Sequence, residues 1–97
     1  VTVLALTVPV AEEIYYRGFL FPILHRKWGS PASVLVVSIW FAAIHGFQVA
    51  GDWIALPVIF GMGWILTLQR LRTGGLTAPL LTHLVYNGVM IGCAWIA

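Results

Sequence analysis

Apolar residues form four long runs along the chain. The runs cover approximately residues 1–24, 31–49, 53–69 and 76–97. Each approaches the length of about 20 residues that a helix needs to cross a bilayer. Short turn sequences separate the runs, at Gly29-Ser30-Pro31, Gly51-Asp52-Trp53 and Thr73-Gly74-Gly75. This pattern predicts an all-α fold, a multi-pass transmembrane helical bundle of about four helices.

The composition strengthens the membrane interpretation. Of the 97 residues, 61% are hydrophobic and 8% are charged, whereas soluble proteins average about 25% charged residues. A single cysteine, Cys93, excludes a disulfide within the chain and any cysteine-based metal motif. The net charge of +2 is small and lies at helix ends, so we expect no nucleic-acid partner. We expect residues 1–97 to form a single domain of a longer membrane protein, packed against its remaining transmembrane helices and against lipid.

Two basic clusters indicate how the predicted bundle lies in the membrane. One is His25-Arg26-Lys27-Trp28, and the other is Arg70-Leu71-Arg72. Two predicted crossings separate the clusters, so both lie on the same side. Because cytosolic loops carry an excess of lysine and arginine, we expect loops 25–31 and 70–75 to face the cytosol, with the helices in the cell membrane.

Three ionisable residues, Glu12, Glu13 and Arg17, interrupt the first apolar run. Charges are costly in hydrocarbon, so such residues usually pair with one another or mark a functional site. At about 100° per residue, Glu13 and Arg17 share one helix face, and Glu12 lies about 140° away from Arg17. We therefore expect Glu13 and Arg17 to form a structural ion pair. Glu12 is then the carboxylate that is free for chemistry.

Polar residues on two other predicted helices lie at a similar depth to Glu12. Counted along each helix from the predicted cytosolic end at about 1.5 Å per residue, Glu12 and His45 lie about 21 Å deep and Asn87 about 18 Å. His83 lies one turn shallower than Asn87 and on the same helix face. These spacings predict that Glu12, His45, His83 and Asn87 meet in one buried pocket.

Taken together, these residues resemble the motifs of a known family. Glu12-Glu13-x-x-x-Arg17, Phe41-x-x-x-His45 and His83-x-x-x-Asn87 resemble the signature of the CPBP intramembrane protease family. That family includes CAAX prenyl proteases and bacteriocin-processing enzymes. The resemblance extends from about Pro9 to Gly88, which is nearly the whole chain.

The resemblance implies an intramembrane endopeptidase of the glutamate type, in a family first labelled as metalloproteases. It implies that Glu12 and His45 activate a water molecule and that His83 and Asn87 stabilise the oxyanion. The substrate would be a peptide or protein, with CAAX-type prenylated proteins as one candidate.

Three alternatives stay open from the residues. Glu12, His45 and His83 offer the one oxygen and two nitrogens of a catalytic zinc site. We nevertheless expect no cofactor, because zinc would occupy the only free carboxylate. Buried glutamate and histidine also form proton relays in transporters. A catalytically silent membrane scaffold or immunity protein is the remaining alternative.

Overall fold

The computed structural model describes residues 2–46 and 52–96, which are helical over most of their length. The elements are α1 (Thr2–Glu13), a π-helical segment (Ile14–Leu20), α2 (Phe21–Trp28), α3 (Ser30–Gly46), α4 (Ala55–Thr73) and α5 (Thr77–Ile96). The first three follow one another without a break, so the described residues form four helical segments and no strand. The predicted all-α class with about four helices is confirmed in this part of the chain.

Within residues 2–46 and 52–96, no helix combines the length and the apolar character that crossing a membrane requires. The membrane spans and their orientation therefore stay predictions. The predicted end of the second run at Val49 and both chain termini, Val1 and Ala97, lie outside the described residues.

Two helices continue through the basic clusters at which the sequence predicted the apolar runs to end. The predicted ends were at about Leu24 and Gln69, whereas α2 ends at Trp28 and α4 at Thr73. Lysine and arginine are good helix formers, so charge alone does not end a helix. Glycine does so here: Gly29 and Gly74 have φ angles of 78° and 73°. Such positive φ angles strain other residues.

A π-helical segment, Ile14–Leu20, separates α1 from α2. Its widened turn ends where the backbone amide of Phe21 donates to the carbonyl of Tyr16, five residues earlier. Pro22 follows at once and has no amide hydrogen to donate, so the regular ladder is already interrupted at this point. Single-turn π-helices occur frequently at functional sites, and this one begins directly after Glu13.

The core lies where the first helical segment and α4 meet α3. Tyr16, Phe21, Val37 and Phe41 are buried there, and the rings of Tyr16 and Phe41 pack edge to face with centroids 5.2 Å apart. Gly63 on α4 faces the Phe41 ring. A Cβ atom at Gly63 would lie 2.9 Å from Cδ1 of Phe41, so glycine at this position sets how closely α3 and α4 approach.

Both basic clusters lie at the same end of the bundle. Arg26 from α2 and Arg70 from α4 line one surface cavity. Nε of Arg70 also donates a hydrogen bond of 3.0 Å to the carbonyl oxygen of Arg17. This contact ties the end of α4 to the π-helical segment.

Candidate active site

Glu12, His45 and His83 come from three helices and meet at one point. Glu12 lies near the end of α1, His45 near the end of α3 and His83 in the middle of α5. Oε2 of Glu12 is 2.8 Å from Nε2 of His45, and Oε1 of Glu12 is 3.6 Å from Nε2 of His83. One carboxylate therefore lies between two imidazoles.

The neighbouring carboxylate, Glu13, has a different environment. Its Oε2 accepts a hydrogen bond of 2.9 Å from Nη1 of Arg17 and lies 2.7 Å from Nδ1 of His83. The side chain of Glu13 is 1% exposed, whereas that of Glu12 is 21% exposed. Glu12 is thus the carboxylate that a substrate or a water molecule can reach.

Arg17 is completely buried, and α4 supplies its remaining partners. Nη2 donates to the carbonyl oxygen of Gly63 at 3.0 Å, and Nε donates to Oγ1 of Thr67 at 3.3 Å. The guanidinium carbon also lies 4.7 Å from the centre of the Phe41 ring. These contacts offset the cost of burying a charge that is paired with Glu13.

A cavity of about 250 Å³ opens beside Glu12. Its lining residues are Val8, Glu12, Phe41, His45, Ile59, Met62, Leu66, His83, Tyr86 and Asn87. One water molecule takes up about 30 Å³ in the liquid, so several waters or part of a peptide fit. The Asn87 amide forms no hydrogen bond with the other described residues and is available to a ligand.

The hydrogen-bond partners of His45 indicate which of its ring nitrogens carries a hydrogen. Its Nδ1 lies 2.7 Å from the carbonyl oxygen of Phe41, which can only accept, so Nδ1 carries a hydrogen. In the neutral ring, Nε2 then has a lone pair that faces an oxygen of Glu12 at 2.8 Å. A lone pair and a carboxylate oxygen do not attract each other. This contact is therefore a hydrogen bond only when Nε2 of His45 or the Glu12 carboxyl group carries a hydrogen.

The same reasoning applies to His83. Its Nδ1 lies 2.7 Å from Oε2 of Glu13, an oxygen that already accepts from Arg17, so Nδ1 carries a hydrogen. Nε2 of His83 is then directed toward Glu12 and the cavity. In the imidazolium form this nitrogen is a donor, and in the neutral form it is an acceptor.

The structure brings all four candidate residues to one cavity, and it places the predicted supporting pair, Glu13 and Arg17, directly behind them. Their catalytic roles stay predictions. The contact of His83 with Glu13 was not predicted, because depth along the helices does not distinguish two adjacent glutamates. Thr67, which holds Arg17, was also not predicted. The available signal was a polar residue within the third apolar run, four residues after Gly63.

The zinc alternative would use Glu12, His45 and His83 as ligands. Among the described residues, no group of three or more histidine, cysteine or acidic side chains has the arrangement that holds a metal ion. Both Nε2 atoms are directed at the Glu12 oxygens, so a metal would have to separate these contacts. Of the two carboxylates, only Glu13 would then be left as a base.

The helical fold places a partly exposed carboxylate, that of Glu12, between two imidazoles. Comparison with known proteins identifies the family to which this arrangement belongs. Residues 1–89 match the family model of type II CAAX prenyl endopeptidases, Rce1-like. The chain belongs to this family, whose members are membrane proteins. The resemblance seen in the three sequence motifs is thereby confirmed.

Two curated relatives share the same region. The membrane-embedded CAAX protease MroQ of Staphylococcus aureus is 30% identical over 89 residues, which cover 86% of this chain and 34% of the relative. An uncharacterized 24.3 kDa protein of Escherichia coli is 30% identical over 79 residues, covering 78% of this chain and 35% of the relative. The chain thus spans about a third of the length of these relatives. No solved structure matches it.

Proposed function

We propose that the chain is the catalytic core of an intramembrane endopeptidase that hydrolyses a peptide bond with an activated water molecule. The observation that carries the proposal is the position of the Glu12 carboxylate between His45 and His83, next to a cavity that Asn87 also lines. Family membership supports the same reaction class. The reaction needs a base, an orienting partner and a donor for the developing oxyanion.

In the proposed first step, a water molecule in the cavity donates a hydrogen bond to Glu12. Glu12 accepts a proton from the water as the oxygen attacks the carbonyl carbon of the substrate. His45 holds the unprotonated carboxylate through a hydrogen on Nε2, and its ring is oriented by the hydrogen bond from Nδ1 to the Phe41 carbonyl. A general base positioned in this way accelerates proton transfer by about 10²- to 10⁴-fold.

The attack converts the carbonyl oxygen into an oxyanion. The amide of Asn87 and Nε2 of His83 are the donors proposed to stabilise it. His83 donates from Nε2 only as an imidazolium, because its other nitrogen hydrogen bonds to Glu13. In this scheme Glu13 has a second role beside pairing with Arg17, since it accepts from Nδ1 of His83 and so directs Nε2 toward the cavity.

In the final step, the protonated Glu12–His45 pair returns the proton to the leaving nitrogen and the C–N bond breaks. The products are a carboxylic acid and an amine, and the enzyme forms no covalent intermediate. The proposal includes no cofactor. It places the helices in the cell membrane with the basic end toward the cytosol, and it takes a peptide or protein as substrate, with prenylated proteins as a candidate class.

The decisive test compares the intact protein with its Glu12→Gln variant, which keeps the shape of the side chain and removes the base. Proteomic comparison of cells that carry either form should reveal peptides that appear only with the native protein. The purified native protein should cleave the corresponding substrate. Asp52→Asn is the matched control, because it removes the same charge from a site at the start of α4.

Other results would point to the alternatives. A phenotype that persists unchanged in Glu12→Gln cells would indicate a scaffold. Proton flux across vesicles that disappears with Glu12→Gln, in the absence of any cleavage product, would indicate a relay.

A further inference from the structure

A second candidate site lies between α2 and α4, at the end of the bundle that carries both basic clusters. It is a surface cavity of about 460 Å³. Its lining residues are Phe21, Pro22, His25, Arg26, Arg70 and Leu71. Arginines from two helices thus share a cavity with an apolar wall.

Among the residues that the structure describes, no carboxylate pairs with the positive charges at this cavity. The whole sequence contains three acidic residues. Glu12 and Glu13 lie in the candidate active site. Asp52 accepts from the amides of Ile54 and Ala55 and so caps the far end of α4. An anion that neutralises the cavity must therefore come from outside these 97 residues.

Arg70 is held in place for such a ligand. Its Nε donates to the carbonyl oxygen of Arg17 at 3.0 Å, and the contact is partly buried. The two Nη groups form no hydrogen bond with the other described residues. A guanidinium presents its donors in a planar fork that matches the oxygens of phosphate. Because the hydrogen bond from Nε already fixes the Arg70 side chain, less conformational entropy is lost when a ligand binds the Nη groups.

We propose that Arg26 and Arg70 bind the phosphate of an anionic lipid headgroup. The two guanidinium groups neutralise the phosphate, while Phe21, Pro22 and Leu71 provide apolar surface for the adjoining glycerol and acyl carbons. Basic pockets between helices are the type of site that binds anionic headgroups in membrane proteins. The site is separate from the Glu12 cavity and does not depend on catalysis.

Lipid selectivity in nanodiscs of the intact protein tests the proposal. The measurement is the association of a labelled phosphatidylglycerol relative to the same label on phosphatidylcholine. Arg26→Gln and Arg70→Gln should each lower the preference for phosphatidylglycerol about fivefold. Arg26 is exposed, so its variant reports on binding even if Arg70→Gln impairs folding. Glu12→Gln should leave the preference unchanged, which keeps this test independent of the proposed peptidase.

Lys27→Gln and Arg72→Gln are the matched controls. Both residues are exposed in the same basic clusters but do not line the cavity. If all four variants lower the preference equally, diffuse surface charge explains it and a defined site is ruled out. Inorganic phosphate is the second arm, since its oxygens offer the same chemistry. If inorganic phosphate binds and its binding needs Arg26 and Arg70, but the nanodiscs show no lipid preference, the ligand is a soluble phosphate and the lipid proposal is wrong. If neither the lipid nor inorganic phosphate binds, the proposed site does not exist.

Discussion

His83 and Glu13 make a short contact between α5 and the end of α1, with Nδ1 of His83 2.7 Å from Oε2 of Glu13. The same oxygen accepts the hydrogen bond from Arg17. The other oxygen, Oε1, is buried and has no hydrogen-bond partner among the described residues. A single carboxylate oxygen thus connects the buried ion pair to a ring that faces the candidate active site.

The first prediction separates the two tasks of Glu13. Glu13→Gln leaves the Arg17 guanidinium buried without its counter-charge, and breaking a buried pair in this way costs about 3–5 kcal/mol. We expect a loss of that size in the free energy of unfolding, measured by denaturant titration in detergent micelles. Peptidase activity should fall as well, because His83 loses the carboxylate that orients its ring through Nδ1.

The double variant Glu13→Gln/Arg17→Met supplies the control. It removes both charges and fills the space with an apolar side chain, so most of the lost stability should return. Activity should stay low, because His83 still lacks its carboxylate partner. Full recovery of activity in the double variant would show that Glu13 serves only to neutralise Arg17.

The ion pair illustrates what the sequence could predict. Glu13 and Arg17 are four residues apart, and this spacing predicted the pair that the structure contains. Local spacing carries such information because neighbouring side chains on a helix must share a face. The all-helical class followed equally well from the lengths of the apolar runs.

The contact between His83 and Glu13 could not be predicted in this way. Counting depth along straight helices predicted that Glu12 and His45 meet, but it contained nothing about rotation around each helix axis. The contact of His83 with Glu13 depends on such rotations. The π-helical segment Ile14–Leu20 also changes the angle per residue directly after Glu13, and no residue in its sequence demands that widened turn.

The second prediction concerns the proposed oxyanion donor. Asn87→Leu keeps a similar size and removes the amide that lines the cavity. Loss of one oxyanion donor lowers kcat by about 10²- to 10³-fold in a soluble protease. We expect a decrease of this order with little change in KM, measured by steady-state cleavage of the identified substrate.

Gly88→Ala is the neighbouring control for Asn87. Gly88 is exposed, and an added Cβ there meets no atom within 4 Å, so activity should stay near the native level. An Asn87→Leu enzyme with native kcat would remove the amide from the proposed mechanism.

The third prediction tests the close approach of α3 and α4. Gly63→Ala places a Cβ 2.9 Å from Cδ1 of Phe41, and overpacking of this kind typically costs about 1–3 kcal/mol. Thermal unfolding should show the loss. Gly61→Ala, on the same helix, meets no atom within 4 Å and should be neutral or stabilising, because alanine favours a helix over glycine by about 1 kcal/mol. Equal effects of both substitutions would mean that the contact does not limit the helix spacing.

The fourth prediction follows from the proposal that no metal takes part. Prolonged dialysis of the purified, active protein against a strong chelator should leave its kcat unchanged, and metal analysis should find far less than one equivalent of zinc. A zinc mechanism makes the opposite prediction, because removal of its metal abolishes activity and added zinc restores it. That outcome would reassign Glu12, His45 and His83 as ligands and leave Glu13 as the remaining carboxylate base.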